Sequence, residues 1–462
     1  MSSVPFQDRL AELLFNWLPR QRWFAGKGRE ISEVTFVADT ELVAGDPGLR
    51  HAIVTVRHRD GDADYYQLLL GFRRQLPGRL EYGAIGMLDG VHVYDAAHDP
   101  DLTRSLLTGM AGSADIGPLR FRTVPGLRLN TDLTSLASPA EQSNTSLVYG
   151  ESYICKVFRR LTPGVNPDLE ISLALSGSGS KHIPDLYGWV ETVLDGESTT
   201  LAMLSEFLRT GTDGWQLATT SVRDLYAEAD LHAYEVGGDF AGEAERLGAA
   251  TASVHRDLAA AFGVTTVSAA EVHAMADLMQ DRLDEARVAV PDLDSYAGPI
   301  GAAFDDLSKQ DAPIPVQRIH GDFHLGQVMR TEVGWVLLDF EGEPARPLAE
   351  RRAPAHPLRD VAGMLRSFEY AARYLLTGPA AGMSRNDPAH DQREYRAHEW
   401  ADRNRAAFCT GYTDAGGPDP YAHEVLLRAF EFDKAVYEVM YEARNRPSWL
   451  HVPLGSLARL TS

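Results

Sequence analysis

From Gln317 to Glu343 the chain reads QRIHGDFHLGQVMRTEVGWVLLDFEGE, and this stretch limits the possible folds more than any other. Its apolar runs and glycine-containing polar turn predict a short strand, a tight loop with His320, Gly321, Asp322, His324 and Gln327, and a second strand from Trp335 to Leu338 ending on Asp339. Any fold that houses it brings Asp322 and Asp339 to the ends of neighbouring extended segments. At 462 residues and 44% hydrophobic content the chain is too long for one core, so two or three subdomains are expected around this stretch.

Two carboxylates and an amide in this order suit phosphoryl transfer. In kinase-type enzymes the loop aspartate of H-R-D-x-x-x-x-N accepts the proton of the attacking hydroxyl, while the amide side chain five residues on and the aspartate of D-F-G hold magnesium. Here the residue five past Asp322 is Gln327, and Asp339-Phe340-Glu341 takes the place of D-F-G. Gln327 has one methylene more than asparagine, so it faces metal, sugar or both. Glu341 replaces the glycine that permits a segment flip in protein kinases.

Composition excludes several classes. A net charge of -21 opposes binding to nucleic acid or an anionic membrane, because a polyanion is repelled. A nucleotide would need local cations. Cys155 and Cys409 lie far apart, which fits a cytoplasmic, reducing setting and excludes a disulfide framework. The N-terminal segment, with Asp8 and Glu12 among its apolar residues, reads as an amphipathic helix and not a signal peptide. No run approaches the roughly 18 apolar residues of a spanning helix.

In chain order, Phe6, Leu10, Leu13, Leu14 and Trp17 fall at helical spacing before Pro19. Strands are predicted at Val34 to Val43, Ala52 to Arg57 and Tyr65 to Gly71, with a hairpin at Gly86 to Tyr94, a helix near Asp101 to Met110 and a polar linker from Thr131 to Pro139. Arg20, Arg22, Lys27 and Arg29 form either a phosphate or partner site or a solvated loop. Ser143, Asn144, Thr145 and Ser146 then precede a strand–turn–strand, where backbone amides and hydroxyls can face phosphates. Lys156 lies mid-strand between Ile154 and Phe158, a place that asks for an anionic partner. Glu170, on a helix from Pro167 to Leu175, is the natural one, giving the lysine–glutamate pair that orients ATP phosphates in kinases. After strands at Leu186 to Val193 and Thr199 to Met203, Glu206 falls where an interlobe hinge would meet the nucleotide. Beyond Gly214 the pattern is mainly helical: Asp239 to Phe262, Arg282 to Val288, Leu293 to Leu307, Leu358 to Leu376, Asp391 to Tyr412 and Tyr421 to Arg446. On the last of these, Tyr437, Tyr441 and Arg444 share a face. With Glu438, Trp449, His324 and Tyr370 they are either sugar contacts or a packed aromatic stripe with paired charges.

The segments RQRWFAGKGR, AEQSNTSLVYG, ICKVFRR, YEVGGDFAGEAERLG, HGDFHLGQVMR, DFEGEPARPLAERRAPAHPLRDVAGMLRSFEYAA and FEFDKAVYEVMYEARNRPSWL resemble actinobacterial-type maltokinases, within the group similar to aminoglycoside phosphotransferases and eukaryotic-type kinases. The resemblance covers nearly the whole chain. It implies an α+β, bilobal protein-kinase-like fold: an N-terminal cap subdomain over 1–90, an intermediate part completing a β-rich N-lobe over 91–205, and a helical C-lobe over 206–462. It also implies ATP- and Mg2+-dependent phosphorylation of maltose at its anomeric hydroxyl, feeding α-glucan and glycogen synthesis, with trehalose synthase as a partner. Asp322 would be catalytic, Gln327 and Asp339 metal ligands, Lys156 and Glu170 the phosphate-orienting pair, and the loop Gln142 to Ser146 the phosphate cover. Glucosamine kinase is the sibling reading. An inactive kinase-like scaffold docking on a sugar enzyme is the reading from another class, and intact Lys156, Asp322 and Asp339 oppose it.

Overall fold

The computed structural model describes residues 5–461, except 139–142, 229, 345 and 378–388. The chain divides into two compact units, Met1–Leu173 with Pro184–Arg209, and Ala174–Ile183 with Thr210–Ser462.

In the first unit, helix α1 (Phe6–Trp17) buries Leu10, Leu14 and Trp17, which lie on one face. They share a core with alternate residues of the sheet formed by β1 (Ile31–Val43), β2 (Gly48–His58), β3 (Ala63–Arg73), β5 (Val91–Asp95) and β4 (Ala84–Leu88), paired in that order, with β11 (Arg160–Leu161) joined to β3. The β4–β5 hairpin turns at Asp89 and Gly90, both at positive φ, as the Asp-Gly pair predicts. Helix α2 (Pro100–Ala111) starts with Asp99 accepting from the N–H of Asp101 and with proline at its first position, a start the chemistry of helix ends favours.

A second sheet has seven strands, ordered β6 (Asp115–Ile116), β7 (Leu119–Thr123), β12 (Leu186–Leu194), β13 (Glu197–Glu206), β10 (Tyr153–Val157), β9 (Thr145–Tyr149) and β8 (Ser135–Ala137). Strand β8 corrects the linker reading of Thr131 to Pro139. Three residues are too few for alternation to show, and what recruits them is pairing with β9 and the buried Ser135–Thr103 hydroxyl contact. In β10 the deeply buried face is Tyr153, Cys155 and Val157, so Lys156 stands on the half-buried face, not the most apolar one. Helix α3 (Pro167–Ser178) follows.

The second unit holds α4 (Gly214–Ala227), α5 (Ala241–Phe262), α6 (Ala269–Ala289), α7 (Asp294–Ser308), α8 (Leu348–Arg351), α9 (Leu358–Thr377), α10 (Ala389–Asp414), α11 (Glu424–Asn445) and α12 (His451–Leu460). It also holds two small sheets: β14 (Thr212–Asp213) with β17 (Val328–Thr331) and β18 (Gly334–Leu337), and β15 (Val264–Val267) with β16 (Ile314–Gln317). Helix α6 is much longer than the predicted Arg282 to Val288. A capping box of Ser268 and Glu271 starts it, and a thin stripe of Val272, Ala276, Met279, Leu283 and Ala286 is all it buries. Among the described residues no helix is long and apolar enough to cross a membrane.

Candidate active site

Strand β16 feeds the chain towards His320, and the β17–β18 hairpin returns it to Asp339. Two glycines let the resulting loops touch. Gly321 and Gly342 both have positive φ, and a β-carbon on Gly321 would come within 3.2 Å of Gly342 Cα. Asp339 is left-handed too, at φ 64°, without being glycine. Such a conformation costs about 1–3 kcal/mol and collects at working sites.

Buried hydrogen bonds fix the 320–327 loop. Asp360, in the first turn of α9, accepts from the N–H of His320 at 2.8 Å and from that of Gly321 at 2.9 Å. His255 of α5 faces Asp360 Oδ2 through Nε2 at 2.9 Å, and its Nδ1 lies 2.8 Å from the Tyr412 hydroxyl of α10. Burial works to raise the Asp360 pKa. Hydrogen bonding and charge from His255, then His320 and the Gly321 amide, overcome it and hold the carboxyl below its ordinary value. Leu325 N–H donates to Ser367 Oγ at 3.0 Å, and His320 Nε2 meets the Leu338 carbonyl at 2.8 Å. Sequence reading found neither Asp360 nor a use for His255, because their meeting depends on how α5 and α9 pack.

Asp322 is held by a cation. Lys434 Nζ of α11 donates to its Oδ1 at 3.0 Å, lies 3.7 Å from Glu343 Oε1, and sits 4.7 Å from the Tyr437 ring centre. Burial raises the Asp322 pKa and Lys434, followed by His324 and His320, lowers it further than burial lifts it. Lys434 itself is pushed up: burial acts downwards, but Asp322, Glu343 and Glu438 more than offset it. Lys434 was missed because it stands 112 positions from Asp322. Gln327 Nε2 donates to Asp339 Oδ2 at 3.2 Å, so the two predicted metal ligands are adjacent. An amide and a carboxylate carry the hard oxygen donors a magnesium ion prefers, and the pair fits that ion with the Gln327 amide turned to present its oxygen.

In the first unit, Lys156 Nζ lies 3.6 Å from Asp168 Oδ2, with side chains only 14% and 7% exposed. Sequence reading named Glu170, two residues on in the same helix; Asp168 adds a carboxylate it overlooked, where Asn166 Oδ1 anchors the backbone N–H at 2.8 Å. Ser143 and Asn144 immediately precede β9, whose buried first residues are Thr145 and Ser146. Thr145 Oγ1 accepts from Arg159 Nε at 2.7 Å. Gln142 lies outside the described residues. Glu206 ends β13 opposite Tyr153, its N–H bonded to the Asp185 carbonyl at 2.8 Å.

Within the second unit a cavity of about 1010 Å³ runs from Asp322 and Lys434 along α11. His324, Tyr370, Glu438, Tyr441, Arg444 and Trp449, the predicted sugar contacts, all line it. So do Trp215 and Tyr374, which sequence reading missed. The Trp449 ring stands 5.2 Å from Tyr374 and 6.5 Å from Tyr370, the latter stacked. The carboxylates are already engaged. Arg366 donates to Glu438 Oε2 at 2.6 Å, and Glu442 Oε1 accepts from the Tyr370 hydroxyl at 2.5 Å and from Arg446 at 2.6 Å. Pairing of that kind is what lets acids sit in a partly buried wall.

Comparison with known proteins places the chain among kinase-like folds. Residues 17–99 match the family described as the maltokinase N-terminal cap domain. The chain is 30% identical over 332 residues to the glucosamine kinase of Streptacidiphilus jiangxiensis, covering 69% of this chain and 72% of that protein. It is 28% identical over 349 residues to the glucosamine kinase of Mycolicibacterium smegmatis, covering 69% and 78%. In solved structures, a glucosamine kinase in complex with glucosamine, ADP and inorganic phosphate superposes with a TM-score of 0.68 at 23% identity, over 97% of this chain and 98% of that one. These matches show a kinase-like α+β fold with an N-terminal cap, a β-rich N-terminal region and a helical C-terminal region. The chain belongs to the family of sugar kinase-like phosphotransferases that includes the Streptacidiphilus jiangxiensis glucosamine kinase.

Proposed function

We propose that the chain transfers the γ-phosphoryl group of ATP to the anomeric hydroxyl of maltose, yielding α-maltose 1-phosphate and ADP. The observation that carries this reading is the maltokinase cap match at residues 17–99. The cavity supports it: its length beyond Asp322 and its wall of Trp215, Tyr370, Tyr374 and Trp449 suit a neutral disaccharide, which offers two apolar ring faces and many hydroxyls.

Chemistry follows from the residues. Phosphoryl transfer is loose and dominated by charge, so positioning and neutralisation do most of the catalysis. Asp322 orients the acceptor hydroxyl and takes its proton late; a carboxyl held below its ordinary pKa is ionised throughout the working range and is a poor early base. Asp360 and His255 keep the loop in register. Lys156, with Asp168 and Glu170 on α3, serves the nucleotide phosphates, as do Ser143 to Ser146, with Glu206 at the hinge. Gln327 and Asp339 would hold magnesium, which neutralises phosphate charge when bound.

A second reading, glucosamine kinase, is favoured by the names of the relatives and by one oxygen: Glu442 Oε2 is buried without a hydrogen-bond partner, and an ammonium group would satisfy it. Against it, Glu438 and the other oxygen of Glu442 already pair with arginines. ADP release measured with maltose, glucosamine, glucose, trehalose and kanamycin, with and without magnesium, tests both. Faster turnover of glucosamine than of maltose would overturn the substrate assignment.

A further inference from the structure

We infer that Lys434 is a second catalytic residue, a fixed ammonium that shares the acceptor hydroxyl with Asp322. This rests on the phosphotransferase reading above, with Asp322 as proton acceptor. Three observations carry it. Lys434 Nζ donates to Asp322 Oδ1 at 3.0 Å. Both side chains line the large cavity, each about one-fifth exposed, so the pair meets the substrate space rather than the core. And the lysine is aimed: Glu343 at 3.7 Å and the face of Tyr437 hold its ammonium from behind, while Arg346 and Arg359, at 3.8 Å for the latter, pair with Glu343 in turn.

A lone ionised aspartate beside a nucleotide triphosphate would repel the group it is meant to receive. Lys434 makes the pair neutral. As the acceptor oxygen attacks, its O–P bond forms, the bond from the γ-phosphorus to the bridging oxygen breaks with its electron pair leaving on ADP, and the hydroxyl proton passes to Asp322. Lys434 remains protonated throughout and stabilises the negative charge gathering on the acceptor oxygen and the phosphoryl oxygens. The cost is a weaker base, which a loose transition state tolerates.

Other titratable groups surround the pair: His320 and His324 act on Asp322 from its own loop, and Glu343 and Arg346 from the loop after β18, Arg359 and Asp360 from α9, Arg282 from α6, and Asp433, Tyr437 and Glu438 from α11 line the pockets that Asp322 lines. Lys434 is the cation in direct contact among the described residues. The test is the pH–rate profile of the full-length enzyme, with sugar affinity by calorimetry and thermal melts as a check on folding. Lys434→Met should lower kcat about 10²-fold or more with sugar affinity changed less than about tenfold. Its acid limb in kcat/KM should rise by about one to two pH units as Asp322 loses its cation. Lys434→Arg should keep the limb in place and recover kcat to within about tenfold of the unsubstituted enzyme. An unmoved limb with kcat within about threefold in the Met protein overturns the inference. If that protein does not fold, an Arg protein slower than about a hundredth of the parent overturns it, and one within tenfold supports it. Asp322→Asn run alongside separates the two ideas: full activity there refutes the base assignment, whatever Lys434 does.

Discussion

The two ends of the large cavity are built differently. At the Asp322 end the groups are charged and cross-braced: Asp360 on α9, backed by His255 on α5, and Lys434 on α11 hold one loop through bonds of 2.8 to 3.0 Å. At the far end Trp215, Tyr370, Tyr374 and Trp449 meet ring to ring, at 5.2 to 6.5 Å between centroids. Directional bonds hold a reacting atom to tenths of an ångström, as a rate requires; stacked rings offer area and tolerate sliding, as a binding surface requires. Damage to the first end should therefore appear in kcat, and damage to the second in KM.

The largest effect is expected from Asp322→Asn, which should lose about 10²- to 10⁴-fold in kcat while sugar affinity by calorimetry stays near that of the parent. Near-normal turnover would move the base elsewhere. Next is Asp360→Ala, expected to cost about 10²-fold in kcat, because a loop displaced by an ångström misplaces Asp322. It should also lower stability by about 3 kcal/mol in denaturant titration, since His255 and two backbone amides lose a buried acceptor. A stability loss with unchanged kcat would reduce Asp360 to a packing role. Trp449→Ala should raise KM about tenfold and leave kcat within about threefold. If kcat falls instead, the contrast between the two ends fails.

The remaining effect concerns pH and leaves turnover at neutral pH unchanged. His356 is 3% exposed, just before α9, and burial, followed by His423 and His255, pushes its pKa down to about 4. A histidine lowered on folding takes up its proton more readily in the unfolded chain. Its contribution is thus intact above about pH 6.5 and is lost as pH falls from there towards 4, on the order of 3 kcal/mol in all. His356→Gln should flatten the fall in melting temperature across that window. An identical slope in both proteins would assign the acid sensitivity to other groups.

Much of this was legible before any coordinates. Spacing placed α1, β1 to β5 and the long helices from α9 to α11, and likeness to kinase motifs paired Gln327 with Asp339, which lie 3.2 Å apart. The short β8 and the first half of α6, Ala269 to Asp281, escaped, because three residues show no period and a thin alanine-rich stripe shows little amphipathicity. Asp168 escaped for a different reason. Two acids, Asp168 and Glu170, share the first turn of α3, and periodicity does not show that Asp168 also stands within reach of a lysine on another element.

What the sequence determined by itself was a set of candidates, Asp322, Gln327, Asp339 and Lys156, whose residue types and spacing within short segments point to phosphoryl transfer. What only the tertiary structure decided was their surroundings: Lys434 against Asp322, Asp360 and His255 under the loop, and the aromatic wall drawn from α4, α9 and the turn after α11. These partners come from elements tens to more than a hundred positions apart. Local pattern reports the period of one element, and the packing of one element on another leaves no mark within either.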